Sequence, residues 1–126
     1  MPADPQLRAL ADEDYCYLTT TGRVSGRPHT VEIWFAIEGR TLYVLAGGGR
    51  RADFVRNAER EPKVTVRIGE RTFEGRARVV EDGDEDALAR RLLLAKYRPR
   101  YRGGLGEWGR TALPFAVDLA LARRAF

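Results

Sequence analysis

LTTTGRVSGRPHTVEIWFAI, residues 18–37, holds two runs of β-branched and aromatic residues joined by a turn rich in glycine and arginine. The first run ends at Thr21. The turn carries Gly22, Arg23, Ser25, Gly26, Arg27 and Pro28. The second run starts near His29 and alternates through Val31, Ile33, Phe35 and Ile37, the period of a strand with one buried face. Gly22 and Gly26 permit positive φ, so backbone N–H groups can converge on one point. Two arginines, a serine hydroxyl and an imidazole stand beside those amides. This donor set suits an anion, most simply a phosphate. A plain hairpin with a solvated basic tip fits the same residues.

Outward from this stretch, composition narrows the classes. A chain of 126 residues with 44% hydrophobic and 32% charged residues is expected to form one globular domain spanning residues 1–126. No apolar run approaches the ~20 residues a membrane-spanning helix needs. The N-terminal residues MPADPQLRALADED are acidic and polar and do not read as a signal peptide, so a cytoplasmic protein, or one peripheral to a membrane, is expected. One cysteine, Cys16 in YCYL, reads as a small buried hydrophobe. One histidine and one cysteine cannot build a Cys/His metal site. The net charge is +4, but the arginines are interleaved with acids, as in RNAEREPK and EDALARRL. No recognition helix or stacking motif accompanies them, so nucleic acid is not the expected partner.

The pattern then predicts elements in order. Pro5 to Glu13 reads as a short helix capped by Asp4, and Tyr15 to Thr21 as a strand. The long strand His29 to Ile37 follows the basic turn. Glu38-Gly39 signals a hairpin into a strand from Thr41 to Ala46, which runs into Gly47-Gly48-Gly49-Arg50-Arg51. A helix from Arg51 to Glu59 presents Phe54, Val55 and Ala58 and stops at Pro62. Strands are predicted over Lys63 to Ile68 and Arg71 to Val80, the second with a bulge near Gly75. A helix from Glu85 to Lys96 is expected to pack Leu88, Leu92 and Ala95. Tyr97 to Trp108 reads as an aromatic loop, and Leu113 to Ala122 as a buried last strand. Six strands joined mainly by hairpins predict a mainly β, α+β protein, an antiparallel sheet closed into a small barrel with short flanking helices.

The run from Tyr15 to Val80 resembles the flavin and deazaflavin oxidoreductases of the split β-barrel fold, which are related to the pyridoxamine 5′-phosphate oxidase-like proteins. The nearest resemblance is to the deazaflavin-dependent nitroreductase family. Its pattern is a TTxGRxSGxxR turn, a strand, a glycine-rich segment and a helix ending RNLxxNPxV. A weaker likeness runs on to PFAVDL at residues 114–119. This resemblance implies that the turn holds the phosphate-bearing tail of a cofactor through Arg23, Ser25 and Gly26. His29 stands where many members carry Arg or Lys, and Val24 where Lys is frequent. It further implies that Val31 and Ile33 of the following strand, Ala46, Gly47, Gly48, Gly49, Arg50 and Arg51 beside the ring system, and Phe54 and Asn57 on the helix are cofactor-binding. Asn57 equally fits a helix C-terminal residue, and Asp53 an ordinary first-turn acid. Glu32 replaces a proline frequent in the family and is expected to point outward and pair with arginine.

The same resemblance implies a substrate pocket of Trp34, Tyr97, Tyr101 and Trp108. Tyr97 or Tyr101 is the candidate proton donor, with solvent as the alternative. These aromatics also fit ordinary packing of a C-terminal loop. The implied cofactor is coenzyme F420, whose polyanionic tail suits a groove of Arg23, Arg27, Arg50 and Arg51, with FMN as the alternative. The implied reaction is hydride transfer from reduced F420 to a small electron-poor acceptor: a quinone, a nitroaromatic or an activated enone. The alternatives are an FMN-binding oxidoreductase and a non-catalytic split barrel that carries a cofactor or hydrophobic ligand. Split barrels of this kind often pair, so a homodimer is expected.

Overall fold

A computed structural model describes residues 5–120. The Asp4 cap and the end of the last predicted strand lie outside the described residues. Seven strands are observed: β1 Cys16–Thr21, β2 Pro28–Ile33, β3 Ala36–Glu38, β4 Thr41–Ala46, β5 Lys63–Ile68, β6 Arg71–Val79 and β7 Leu113–Ala120. Four helices accompany them: α1 Pro5–Arg8, α2 Asp53–Arg60, α3 Gly83–Tyr97 and α4 Gly106–Thr111. No described helix is long and apolar enough to cross a membrane.

The strands form one sheet in the order β2-β1-β5-β6-β7-β4-β3, every pairing antiparallel. Its two edges, β2 and β3, are consecutive in the chain and are separated only by Trp34 and Phe35. Two residues bridge little more than ~10 Å. The sheet must therefore curl until its edges almost meet, which makes a barrel with a seam.

That seam corrects the sequence expectation of one strand from His29 to Ile37. The chain breaks at Trp34-Phe35, giving seven strands rather than six, because α3 takes over the backbone polar groups there. The Phe35 N–H donates to Tyr97 Oη at 3.0 Å, and Lys96 Nζ donates to the Phe35 carbonyl at 2.9 Å. Those bonds satisfy groups that a ladder would otherwise need to pair.

Alternation along β4 explains why TLYVLA is apolar on both faces. Leu42, Val44 and Ala46 point into the barrel with Leu18, Phe35, Val66, Phe73, Phe115 and Val117. Tyr43 and Leu45 point outward and are covered by Ala89, Leu93 and Tyr97 of α3. The buried stripe of α3 is thus Ala89, Leu93 and Tyr97, rotated by one residue from the expected Leu88, Leu92 and Ala95. Leu88 and Leu92 flank it half-buried, and Ala95 is exposed. Asp82 caps α3 by accepting from the Glu85 N–H at 2.9 Å. Arg78 then ties the helix to the sheet, donating to Glu85 at 2.7 Å and to Asp118 at 2.8 Å.

Three local expectations are corrected. The first helix stops at Arg8, and hydrogen-bonded turns replace it up to Glu13. Gly75 sits in an unbroken register, opposite Val64 on one side and Leu119 on the other, so it marks no bulge. A Cβ there would lie 2.5 Å from the Val117 side chain, so glycine is needed for β6 to approach β7. The aromatic loop is cut short at both ends, since Tyr97 closes α3 and Trp108 lies within α4.

Candidate functional site

The basic turn is folded against α2 by a buried asparagine. Asn57 is 1% exposed. Its Oδ1 accepts from the Arg23 backbone N–H at 3.1 Å and from Arg23 Nη1 at 2.8 Å, while its Nδ2 donates to Thr20 Oγ1 at 3.1 Å. Arg23 Nη2 reaches Asp53 at 3.2 Å. Asn57 is therefore neither a helix-terminal residue nor a bare lining residue. It fastens the strand end, the turn and the helix together.

Held in this way, the turn closes on itself. The Gly26 N–H donates to the Gly22 carbonyl at 2.9 Å, with Gly26 at φ +76°, and Ser25 Oγ accepts from the Arg27 N–H at 3.1 Å. Gly22 is buried beneath two polar side chains. A Cβ on it would lie 2.9 Å from both Ser25 Oγ and His29 Nε2. Only glycine lets the hydroxyl and the imidazole converge there. Gly22, Arg23, Val24, Ser25, His29, Asp53 and Asn57 line the resulting hollow, of about 350 Å³. Gly26 and Arg60 border a second hollow on the other side of the turn.

The seam makes a larger opening at the other end of β2. Ala36 pairs with Tyr43 and Ile37 with Leu42. Continuing that register would set Trp34 against Leu45 and Glu32 against Gly47. Instead β2 turns away to pair with β1, and a cleft of about 590 Å³ opens between those residues. Glu32, Ile33, Trp34, Leu45 and Gly47 form its sheet side, with Tyr101, Leu105 and Trp108 opposite and Tyr15 at the edge. Trp34 anchors the aromatic wall. Its ring is stacked on Tyr97 at 4.3 Å and 2°, and meets Tyr101 and Trp108 edge-on at 5.6 and 5.5 Å. His29 and Ile33, on the same face of β2, set the two openings about 13 Å apart along the strand.

The expected site residues therefore divide. Arg23, Ser25, His29 and Asn57 gather at the turn, and Ile33, Gly47, Trp34, Tyr101 and Trp108 at the cleft. Val31 packs half-buried between the two. Ala46 is buried inside the barrel, and Phe54 packs edge-on against Phe115 at 5.5 Å, so neither lines the cleft. Gly48 and Gly49 lead into a short 3-10 turn over Gly49–Arg51, and Arg51 is exposed. Arg50 is taken up by Glu59 at 2.7 Å and Glu81 at 3.3 Å, and does not join the expected cationic groove.

Two expectations change. Tyr97 does not line the cleft. It lies behind Trp34, 1% exposed, with its O–H directed to the Asp14 carbonyl at 2.7 Å. Burial also pushes its hydroxyl up to about 12. Of the two candidate phenols, only Tyr101 fronts the opening. Glu32 is exposed as expected, but its partner is the Tyr17 hydroxyl, at 3.0 Å, rather than an arginine. Sequence reasoning missed Tyr15, Leu45, Gly104 and Leu105. No spacing signal marks them, since they meet only when the seam and α4 come together.

Comparison with known proteins gives a consistent picture. The sequence model of the family described as F420H(2)-dependent quinone reductase matches residues 5–119. No curated protein matches the chain at a significant level. Among solved structures, an F420-H2 dependent reductase (FDR-A) superposes with a TM-score of 0.67 at 22% identity, covering 83% of this chain and 94% of its own. A conserved hypothetical protein from Mycobacterium tuberculosis gives 0.71 at 18% identity, covering 98% and 82%. HutZ, the heme storage protein from Vibrio cholerae, gives 0.67 at 20% identity, covering 97% and 93%. At these identities the structures establish the shared fold.

Proposed function

The chain belongs to the F420H(2)-dependent quinone reductase family, and from that premise we propose that the seam of its barrel holds coenzyme F420 and a quinone-type acceptor side by side. It is an F420-dependent oxidoreductase. The carrying observation is the cradle at Gly22, where a Cβ would fill the space onto which Ser25 and His29 converge. A hydroxyl and an imidazole beside an exposed arginine are a donor set for a phosphate, so the residues present fit the cofactor. Ser25 and His29 would hold its phosphate, with the exposed Arg27 adding positive charge. Gly47, exposed and without a side chain, would leave room for its ring.

Bound in its reduced form, this cofactor supplies a hydride to an electron-poor acceptor. The chain's own part is positional. Trp34, Leu45, Leu105 and Trp108 offer a planar acceptor an apolar wall and displace water from it. Tyr97 fixes the Trp34 ring by stacking, so the wall is rigid before anything binds. Tyr101, 47% exposed at the mouth, would pass a proton to the reduced product, with Tyr15 the other phenol at the cleft's edge.

Parallel fluorescence titrations with oxidised F420 and with FMN test the reading. F420 is expected to bind at micromolar concentration or tighter, and FMN more weakly. Loss of one donor in His29→Ala is expected to weaken F420 by about 3–10-fold. Equal binding of F420 by the variant, or tighter binding of FMN by the wild type, would refute it.

A further inference from the structure

The two openings along β2 differ in charge: the turn mixes both signs, and the cleft carries one. At the turn, Arg23 and His29 line one hollow, and Arg23 and Arg60 border the next. Asp53 and Glu61 are the acids among them, and Arg23 is bonded to Asp53. The cleft differs. Of its ten lining residues, Glu32 is the one that carries a formal charge; the others are Tyr15, Ile33, Trp34, Leu45, Gly47, Tyr101, Gly104, Leu105 and Trp108. Among the described residues, a chain of net charge +4 thus lines its aromatic opening with a single charged group, a negative one.

Glu32 is held where it is. It lies opposite Tyr17 in the β1–β2 ladder, and its Oε1 accepts from the Tyr17 hydroxyl at 3.0 Å. A hydrogen bond from a neutral phenol orients a carboxylate without cancelling its charge. The cation across the ladder from Tyr17 belongs to β5. Arg67 lies opposite Tyr17 on its other side, with its guanidinium over the Tyr17 ring at 4.3 Å and one N–H given to the Gly69 carbonyl at 2.7 Å. Two strand spacings, about 10 Å, separate the Arg67 and Glu32 backbones. The aromatic wall adds to the same bias, because the faces of Trp and Tyr rings attract cations and not anions.

We infer that Glu32 sets acceptor specificity by charge: the cleft takes neutral or cationic planar acceptors and turns away anionic ones. This rests on the proposed function above. It also separates the two ligands of one trough, since Glu32 keeps an anionic cofactor tail from the acceptor's place.

The experiment uses a neutral naphthoquinone and the same naphthoquinone carrying one sulfonate. Steady-state turnover with reduced F420 gives kcat/KM for each. Quenching of tryptophan fluorescence, without cofactor, gives each quinone's Kd. The ratio of neutral to sulfonated kcat/KM is compared between wild type, Glu32→Gln and a control, Glu70→Gln, at the β5–β6 turn outside the cleft. Intrinsic reactivity of the two quinones cancels in that comparison. Glu32→Gln is expected to narrow the ratio by about 3–10-fold, the size of one like-charge contact near a surface. The Kd ratio is expected to narrow in parallel. Glu70→Gln is expected to keep the wild-type ratio. Raising ionic strength is expected to narrow the ratio in wild type and leave it flat in Glu32→Gln. Turnover of both quinones with an unchanged ratio in Glu32→Gln would overturn the inference while leaving the proposed function standing. No turnover of the neutral quinone by F420-loaded wild type would overturn both.

Discussion

Lys96 is the residue whose placement departs furthest from ordinary surface chemistry. In sequence it is the last charge of an amphipathic helix, where a cation suits the helix dipole. In the fold it leans over the Phe35 ring at 3.6 Å and donates to the Phe35 carbonyl. Burial, reinforced by Arg100, brings its ammonium down to about 8 from an ordinary 10.5. The folded state then releases this proton before the unfolded chain does. Between those two values stability rises with pH, because the unfolded state binds more protons there. Cys16 acts in the opposite sense. Burial pushes its thiol from 9.0 up to about 12, so the unfolded chain loses that proton first and stability falls above pH 9. Between pH 8 and 9 the Lys96 contribution outweighs that of Cys16, whose unfolded thiol is only beginning to ionise. Urea midpoints measured across that interval are expected to rise in the wild type and not to rise in Lys96→Met. An equal rise in the variant would count against the assignment. Burial of Cys16 was legible in YCYL. The Lys96 contact was not, because Phe35 lies 61 residues away.

At the scale of elements, alternation was a good guide wherever a strand buries one face or both. Lys63–Ile68 and Thr41–Ala46 appear with the expected bounds. It failed at Gly75 and on α3, where the deciding partner is a distant strand. Gly75 has no side chain because Val117 and the Asp118 carbonyl occupy the space a Cβ would take, 2.5 and 3.0 Å away. Gly75→Val is therefore expected to cost about 1–3 kcal/mol by overpacking, read from chemical denaturation. A neutral outcome would show that β6 and β7 separate without loss. The α3 stripe has a similar origin. Leu88, Leu92, Leu93 and Leu94 allow several faces, and the outer side of β4, presenting Tyr43 and Leu45, selects the Ala89–Leu93–Tyr97 face.

At the scale of the molecule, the two sheet edges are held close by Trp34-Phe35, and Tyr97 pins that link. Its hydroxyl accepts from the Phe35 N–H and donates to the Asp14 carbonyl, so one side chain joins α3, the seam and the segment before β1. Tyr97→Phe keeps the ring against Trp34 and removes both bonds. It is expected to lower stability by about 1–3 kcal/mol, the cost of buried backbone groups left unpaired. Thermal unfolding followed by circular dichroism checks this, and a shift near zero would show the groups re-paired. By itself the sequence determined the antiparallel hairpin order, the barrel class and the basic turn, because strand period, turn residues and local donors are short-range properties. It also placed the cluster Arg23, Ser25 and His29, which spans only seven residues. Tertiary structure alone decided where the barrel splits, that Tyr97 stands behind the cleft while Tyr101 faces it, that Arg50 is spent on Glu59 and Glu81, and that Glu32 is the cleft's single charge. Each of these depends on which distant segment packs against a residue, and curling a sheet until its edges meet is a property of the whole chain.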